Sequence, residues 1–348
     1  MKKRNVINLI RYYSEHNDPA FRTEAYEIAR DFDASGDYQL AEYIMALLSD
    51  TNTFVPQTSS DSLDTDFLQK LPHTKTPLPL PKPIADDVRG VINAVGHNAG
   101  VNKFIFQGPP GTGKTETARQ VSRVLGREAL IVDFSSVIDS KLGQTSKNIV
   151  ALFDEINGLA NQGGYVVLFD EIDALALDRT DSRDVREMGR ATSTFLRELE
   201  RIDAQMVMIA TTNLFKRLDK AIVRRFDAVI DFNRYTRDDL IDIAEKITNN
   251  LLAQFDYAGK NTRLLRKIVM QADEIPMPGD LTNMIRTSLA FSDPGSKHSY
   301  LQRLYRALVT NPTDDIRELK GQGYTLREIE ILTGVSKSTA SREMKEAL

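Results

Sequence analysis

The sequence predicts an α/β protein with a doubly wound parallel sheet and a helical lid, flanked by an N-terminal helical module and a C-terminal helix-turn-helix. Three uninterrupted apolar runs, residues 104–106, 165–169 and 206–210, have the composition of strands that are buried on both faces. Polar or glycine-rich residues follow each run, as they do where a parallel sheet binds its ligand. The α/β part is expected over residues 84–233 and the lid over residues 234–310.

Composition and charge restrict the class of protein. The chain has 348 residues, enough for about two or three domains. Its net charge of −4 provides no overall attraction to nucleic acid or to a membrane surface, and the lack of cysteine excludes disulfides, thiol catalysis and thiolate zinc sites. The first apolar stretch stops at Arg11, too early for a signal peptide, and no run reaches transmembrane length. We therefore expect a cytoplasmic protein without a membrane partner.

Three apolar stripes at helical spacing predict a partner-binding helical module over residues 1–50, with the stripes as its core. Turn residues at 18–19 and 35–37 separate the stripes. Residues 51–83 are rich in Pro, Ser and Thr and predict an extended linker that joins the module to the rest of the chain. The stripes are Val6, Leu9, Ile10 and Tyr13, then Phe21, Ala25, Ile28 and Phe32, then Leu40, Tyr43, Ile44 and Leu47.

A glycine-rich loop follows the first apolar run and fits the pattern G-x-x-x-x-G-K-[ST]. Its glycines let the backbone turn N–H groups inward around a polyphosphate, and the helix that begins near Lys114 adds the positive end of its dipole. Lys114 is expected to reach the β and γ phosphates of ATP, and Thr115 to ligate Mg²⁺. A glycine-rich turn without a ligand is the alternative, but it would not account for the strand before the loop and the helix predicted over residues 116–125. The loop consists of Gly108, Pro109, Pro110, Gly111, Thr112, Gly113, Lys114 and Thr115.

Two carboxylates end the second apolar run. Asp170 and Glu171 follow residues 165–169 directly, at the C-terminal edge of the predicted strand. Asp170 is expected to hold Mg²⁺, directly or through water, and Glu171 to polarise the water that attacks the γ-phosphate. The alternative role for Glu171 is to cap the next helix. With a phosphate-binding loop upstream, the sequence favours a site for Mg²⁺ and ATP.

Two further motifs follow the third apolar run. A Thr-Thr-Asn sequence ends at Asn213, and residues 218–227 read Leu-Asp-Lys-Ala-Ile-Val-Arg-Arg-Phe-Asp. Together with the glycine-rich loop and the two carboxylates, these motifs occur in the order found in the AAA+ ATPases. Over residues 84–290 the chain resembles that family, specifically its AAA subfamily. The resemblance implies the P-loop fold of these enzymes and the hydrolysis of ATP.

The same resemblance assigns roles to three more residues. Asn213 would position the attacking water or sense the γ-phosphate, and one or both of Arg224 and Arg225 would reach the ATP of a neighbouring subunit. Arginine suits this role because its planar, charged fork can meet charge spread over a phosphate. The alternative is an arginine pair held in salt bridges on a helix face. The resemblance also implies a homo-oligomeric ring, expected to be a hexamer, in which no subunit hydrolyses ATP efficiently alone.

Two segments occupy the places of the central-pore loops in the AAA subfamily. Residues 139–145 lie where the family places the first loop, and residues 187–190 lie near the place of the second. The position that is commonly aromatic in relatives that thread polypeptides is Lys141 here, so threading and contact with an acidic or nucleic-acid partner both stay open. In the lid, residues 279–281 resemble a shortened form of the G-x-D-[LI] element of the family. Arg286 does not fall on the position of a second sensor.

The C-terminal segment, residues 311–348, resembles a helix-turn-helix of the recombinase type, with Gly334 in the turn and Ser336 as the cap of a recognition helix. Two departures weigh against DNA binding. Glu330 stands where a small residue normally lets the helices cross, and Ala340 is smaller than the usual branched residue. The alternative is a structural or protein-binding cap. The side chains offered to a major groove would be Lys337, Ser338, Thr339, Ser341 and Arg342.

The function expected from these motifs is that of an oligomeric ATPase, which couples hydrolysis of Mg-ATP to the remodelling or regulation of a bound partner. The N-terminal segment and the Leu-Gly-x-Thr sequence at 142–145 are similar to those of AAA ATPases encoded beside subtilisin-like serine proteases in bacterial plasmid-maintenance and antiphage modules. A protease effector is therefore one expected partner. The alternative is an ATP-dependent switch bound to duplex DNA through residues 313–348.

Overall fold

The chain forms two compact units, Met1–Asp64 and Thr65–Leu348. No helix among the residues that the structure describes is long and apolar enough to cross a membrane. The computed structural model describes residues 3–14, 18–34, 65–72, 78–97, 99–132, 134–138, 144–175 and 182–345.

Helices α1 (Lys3–Ser14) and α2 (Asp18–Ala34) pack together in the N-terminal unit. Asn8 Nδ2 of α1 donates a hydrogen bond to Glu24 Oε2 of α2 at 3.1 Å. A small apolar surface of α2 is excluded from water, and its buried residues are Ala25, Ile28 and Ala29.

The predicted stripe of α1 is not core along its whole length. Ile10 is 65% exposed and Tyr13 is 74% exposed. The expectation that they form core is therefore wrong for these two residues, because in the described part of the unit α2 covers only one side of α1. The third stripe, within residues 40–47, lies outside the described residues.

Six described strands form one sheet in the second unit: β1 (Leu68–Lys70), β2 (Lys103–Gln107), β3 (Glu128–Val132), β4 (Tyr165–Phe169), β5 (Val207–Thr212) and β6 (Ala228–Asp231). Their spatial order is β1-β3-β4-β5-β2-β6. Five neighbouring strands of this sheet, namely β3, β4, β5, β2 and β6, are parallel to one another, which confirms the predicted parallel sheet. The edge strand β1 is antiparallel to β3. It comes from the segment predicted as a linker, so the sheet uses part of that segment.

Helices cover both faces of the sheet, so the fold is doubly wound. On one face, Phe104 and Phe106 of β2 belong to an apolar core with residues of the two helices that flank β2 in sequence. On the other face, Phe169 of β4 lies 6.0 Å from Phe153 and 5.5 Å from Phe195 between ring centroids. The helices of this part are α3 (Lys82–Gly96), α4 (Lys114–Val124), α5 (Phe134–Val137), α6 (Gln144–Asn157), α7 (Ser182–Glu200) and α8 (Lys220–Val223).

The lid follows β6 and consists of α9 (Arg237–Leu252), α10 (Thr262–Gln271), α11 (Pro278–Ala290) and α12 (Ser299–Leu308). The predicted cap of its first helix is confirmed. Asp239 N–H donates to Thr236 Oγ1 at 3.2 Å, and Thr236 N–H donates to Asp239 Oδ2 at 2.9 Å. These reciprocal bonds satisfy backbone donors at the start of α9.

The C-terminal helices share one apolar core with the lid. They are α13 (Ile316–Gly321), α14 (Leu326–Thr333) and α15 (Lys337–Lys345). Polar contacts reinforce this packing: Lys267 Nζ of α10 donates to Glu328 Oε2 at 2.7 Å, and Gln302 Nε2 of α12 donates to Leu332 O at 2.8 Å. Residues 311–348 were predicted as a separate module, but helix α14 is built into the lid.

The turn between α14 and α15 has the predicted cap. Ser336 Oγ accepts a hydrogen bond from Thr339 N–H at 3.2 Å, and Ala340 is fully buried. Glu330 is exposed, and its Oε1 accepts from Lys337 N–H at 3.2 Å. This glutamate therefore caps α15 from outside and does not hold the two helices apart.

Candidate active site

The glycine-rich loop lies between the C-terminal end of β2 and the first turn of α4. Gly113 precedes α4 and has a φ of 89°, in the left-handed region that favours glycine. A Cβ at this position would clash with Leu78 Cδ2. Thr112 Oγ1 donates to Pro109 O at 2.8 Å and so closes the loop on itself. Any side chain at position 113 would strain the backbone and displace Leu78.

Lys114 is buried at the centre of the loop. Its Nζ donates to the carbonyl oxygens of Gly108 and Pro109, both at 2.8 Å, and to Asn213 Oδ1 at 2.7 Å. Burial lowers the pKa of the amine, although three nearby carboxylates act in the opposite direction. The structure thus brings the lysine of the loop and the asparagine that follows β5 into direct contact.

Asp170 and Glu171 lie at the carboxyl end of β4. Asp170 Oδ1 accepts hydrogen bonds from Thr115 Oγ1 at 2.9 Å and from Thr211 Oγ1 at 2.6 Å. Glu171 has a φ of 53°, which is uncommon for a residue with a side chain. Its N–H donates to Thr211 Oγ1 at 2.9 Å, and its Oε1 lies 3.4 Å from Asn213 Nδ2. Thr211 therefore holds both carboxylate residues at the end of the neighbouring strand.

Asp173 is a buried carboxylate for which the sequence predicted no role. Its Oδ2 accepts from Asn213 N–H at 2.8 Å, and its Oδ1 accepts from Thr212 Oγ1. These bonds fix the backbone from which the Asn213 side chain extends. The available signal was weak, because Asp173 is one more acidic residue in a short acidic run after β4.

These side chains meet at an open cleft of about 350 Å³. Its lining includes the hydroxyl of Thr115 and the carboxylate of Asp170, which are ligand types that suit Mg²⁺ beside phosphate. The donor set therefore fits a bound magnesium nucleotide. The described lining residues are Leu78, Pro110, Gly111, Gly113, Lys114, Thr115, Glu116, Arg119, Asp170, Glu171, Thr211, Asn213 and Gly279.

The two predicted arginines do not line this cleft within the described single chain. Arg224 is exposed directly after α8. Arg225 Nε lies 2.5 Å from Glu200 Oε1 at the end of α7, and the two side chains are 47% and 51% exposed. Both alternatives thus stay open: the arginines act in a neighbouring subunit, or they form surface ion pairs.

Three other sequence predictions have different outcomes. Residues 139–143, which include Lys141, lie outside the described residues. Residues 187–190 were predicted near a pore loop, but their backbone lies inside helix α7, because the helix runs from Ser182 to Glu200. Arg286 is exposed on α11 and is absent from the described lining of the cleft.

Two lid residues form hydrogen bonds to the backbone of the glycine-rich loop. Tyr235 Oη donates to Thr112 O at 2.7 Å, and Gly279 N–H donates to Gly111 O at 2.8 Å. The sequence predicted a family element at Gly279 but no contact, and it gave no role to Tyr235. A tyrosine just before a capped helix carries no sequence signal for such a bond.

Comparison with known proteins finds a family match over the part of the chain that carries most of the cleft residues. Residues 104–234 match the "ATPase family associated with various cellular activities (AAA)". The chain is 39% identical over 133 residues to the "Uncharacterized AAA family ATPase y4kL" of Sinorhizobium fredii, a match that covers 38% of this chain and 39% of that protein. The chain thus spans about two fifths of the length of this relative.

Solved structures share the fold over a longer part of the chain. A chain in the HORMA:CdnC:Trip13 complex of E. coli MS115-1 has a TM-score of 0.55 at 17% identity, and the match covers 72% of this chain and 97% of that chain. The FIGL-1 AAA domain in complex with ADP has a TM-score of 0.52 at 18% identity and covers 74% and 91%. The fold is therefore the α/β P-loop fold of AAA+ proteins with a helical lid.

Proposed function

We propose that this chain, whose residues 104–234 form an ATPase domain of the AAA family, hydrolyses Mg-ATP as a homo-oligomer and uses the reaction to remodel or regulate a protein partner. One observation carries the proposal. The loop lysine, two carboxylates and a strand-end asparagine converge on one cleft at the C-terminal edge of the sheet. Such an arrangement meets the needs of phosphoryl transfer to water, which depends on positioning and on charge stabilisation.

Each residue of the cleft has a proposed task. Lys114 and the N–H groups of the loop bind the phosphates, and Thr115 with Asp170 would hold Mg²⁺. When bound there, Mg²⁺ supplies positive charge that neutralises phosphate oxygens. Glu171 accepts a proton from the attacking water, and Asn213 holds the lysine and the glutamate in one arrangement.

The shared site between subunits is also a proposal. In the part of the chain that the structure describes, the Arg225 side chain pairs with Glu200, in an ion pair that is about half exposed. Such pairs stabilise a protein by about 0–1 kcal/mol, so a neighbouring nucleotide could replace the glutamate as partner. Arg224, the residue before it, is also exposed and could reach a neighbouring nucleotide as well. These features support a ring, with a hexamer as the expected size, in which an arginine of one subunit completes the site of the next.

The fold that this chain shares with a protein solved in a complex supports a protein partner. The E. coli chain that shares the fold was solved in a complex with HORMA and CdnC proteins, so that protein assembles with protein partners. For the present chain we propose the same class of partner, with a subtilisin-like protease in a bacterial defence or maintenance module as the specific candidate from sequence resemblance.

A second candidate function is an ATP-dependent switch on duplex DNA. The observation that favours it is the free face of α15, where Lys337, Ser338 and Arg342 are exposed. Deleting residues 313–348 would not test this function cleanly, because Leu319, Ile329 and Leu332 belong to the lid core. The double variant Lys337→Ala, Arg342→Ala keeps that core and removes two cations from the face.

The test is ATP turnover per subunit, measured against protein concentration with and without duplex DNA. We expect a steep rise with concentration, no turnover in Lys114→Ala, and normal turnover in the control Lys246→Ala, whose side chain is exposed on α9. Stimulation by DNA that is lost in the double variant would favour the switch. Absence of turnover at every concentration would refute the enzymatic proposal, and full turnover by a monomer would refute the shared site.

A further inference from the structure

We infer that Tyr235 is a positioning residue that aims backbone N–H groups of the glycine-rich loop at the nucleotide phosphates and ties their direction to the lid. This inference rests on the proposed function, since it concerns the binding of ATP in the same cleft. According to this inference, contacts from the lid set the orientation of peptides in the phosphate-binding loop.

Tyr235 occupies the junction between the sheet and the lid. It follows β6 and precedes α9, and its side chain packs against both the sheet core and the lid core. Its hydroxyl donates to Thr112 O at 2.7 Å. Burial raises the pKa of the phenol, so the group keeps its proton at neutral pH and stays a donor. One side chain thus connects both cores to the loop.

Because the peptide bond is planar, a contact that fixes a carbonyl oxygen also fixes the direction of the N–H group in the same peptide. In a trans peptide the C=O of one residue and the N–H of the next point in opposite directions. The oxygen that Tyr235 binds belongs to the peptide that carries the N–H of Gly113. Gly113 lines the cleft and Tyr235 does not, so anchoring the oxygen on the lid side directs that N–H toward the cleft.

A second contact acts on the preceding peptide. Gly279 N–H, at the start of α11, donates to Gly111 O at 2.8 Å. The same geometry directs the N–H of Thr112 away from the lid. The two backbones approach so closely that a Cβ on Gly279 would lie 3.0 Å from Gly111 Cα. Two consecutive peptides of the loop are therefore held by lid residues, and a change in lid position would turn both peptides, including the one that carries the N–H of Gly113, together.

The variant Tyr235→Phe tests the inference, because it removes the hydroxyl and keeps the ring that fills the junction. Tyr257→Phe is the matched control: this lid tyrosine donates to Leu289 O at 2.8 Å, away from the loop. We expect the affinity for Mg-ADP, measured by calorimetry, to fall about three- to tenfold in Tyr235→Phe, the effect of one hydrogen bond. It should stay unchanged in Tyr257→Phe, although both variants lose similar thermal stability.

Equal affinity for Mg-ADP in Tyr235→Phe and Tyr257→Phe would overturn the inference. The Tyr235 hydroxyl would then contribute to stability alone, as the Tyr257 hydroxyl does. Gly279→Ala provides a second measurement: it should also weaken Mg-ADP binding, and its effect should be less than additive with that of Tyr235→Phe if both act through the loop. Additive effects would separate the two contacts and refute the joint role. If the unmodified protein fails to bind Mg-ADP, the proposed function itself fails, whereas tight binding with no effect of Tyr235→Phe defeats only the inference.

Discussion

At the scale of single residues, Glu171 combines an uncommon backbone conformation with the position that we propose for the proton acceptor. A φ of 53° costs on the order of 1–3 kcal/mol and persists only where surrounding contacts enforce it. Here the bond from Glu171 N–H to Thr211 Oγ1 enforces it, and Thr211 is itself bound to Asp170. The exposed carboxylate stands beside the amide of Asn213, where the proposed reaction needs a proton acceptor.

The variant Glu171→Gln should bind Mg-ATP with unchanged affinity but turn it over at least about a hundredfold more slowly, because an amide cannot accept the proton from water. Nucleotide affinity by calorimetry and phosphate release measure the two effects separately. Glu274→Gln, an exposed loop variant, is the control and should keep full turnover. Turnover retained by Glu171→Gln would show that another group accepts the proton.

The sequence could group those cleft residues that lie close together along the chain. The glycines, Lys114 and Thr115 lie within eight successive residues, so their spacing alone describes a phosphate-binding turn. Tyr235 could not be found in this way, because 123 positions separate it from Thr112 and only the three-dimensional packing brings them together. Asp173 was visible as a residue, but its bond to the backbone of Asn213 depends on the pairing of β4 with β5.

At the scale of elements, the lid and the C-terminal helices share one apolar core and are joined by polar contacts. The carboxylate of Glu328 is buried, and it accepts hydrogen bonds from Lys267 Nζ and from Thr325 N–H, both at 2.7 Å. Burial acts to raise the pKa of Glu328, but these hydrogen bonds outweigh it, so the pKa lies below its ordinary value. The folded protein therefore favours the charged form, and α14 is fastened to α10 by an ion pair.

The variant Glu328→Gln should lower the free energy of unfolding by about 1.5–3 kcal/mol at pH 7, the contribution of hydrogen bonds to a charged group. Since the folded pKa is depressed, this contribution is fully present above the ordinary value of 4.5 and is lost as the pH falls through the lowered pKa. Thermal unfolding at several pH values measures it. The difference from the unmodified protein should shrink in acid. Glu318→Gln, an exposed change on α13, should have little effect.

A difference in the free energy of unfolding between Glu328→Gln and the unmodified protein that stays constant from pH 7 into acid would contradict the role of the charge.

The elements that the sequence analysis placed incorrectly were missed for one reason: periodicity in a sequence does not show which elements pack together. Strand β1 has three residues and no alternation to detect, and residues 187–190 continue a helix. The stripe on α1 predicted burial, yet Ile10 and Tyr13 are exposed because burial depends on what packs against them.

At the scale of the whole molecule, the site that we propose takes one arginine from a neighbouring subunit. The described chain brings together Lys114, Glu171 and Asn213, but Arg225 is bound to Glu200 at the end of α7. Binding to a neighbouring nucleotide would exchange one carboxylate partner of Arg225 for phosphate oxygens. Assembly and hydrolysis are then linked through the same side chain.

The variant Arg225→Ala should bind Mg-ATP normally and hydrolyse it about a thousandfold more slowly, because the charge supplied in trans is lost. Mixing it with Glu171→Gln protein should restore part of the turnover, since some interfaces then combine an intact Glu171 with an intact Arg225. A mixture of Lys114→Ala with Glu171→Gln is the control and should stay inactive, because both residues act within one subunit. Failure of the first mixture, in assemblies whose mixed composition is verified by mass, would argue for a surface ion pair.

The short antiparallel strand β1 bears on the solubility of such an assembly. A parallel sheet with apolar strands exposes unpaired backbone groups at its edge, where a second copy could add strands and start aggregation. Here β3 is covered by a strand of only three residues, whose Lys70 is exposed and pairs with Glu128 at 3.4 Å. A charged edge this short offers a poor template for further pairing. The β1 edge of the sheet is thus protected from pairing with the sheet of a second copy.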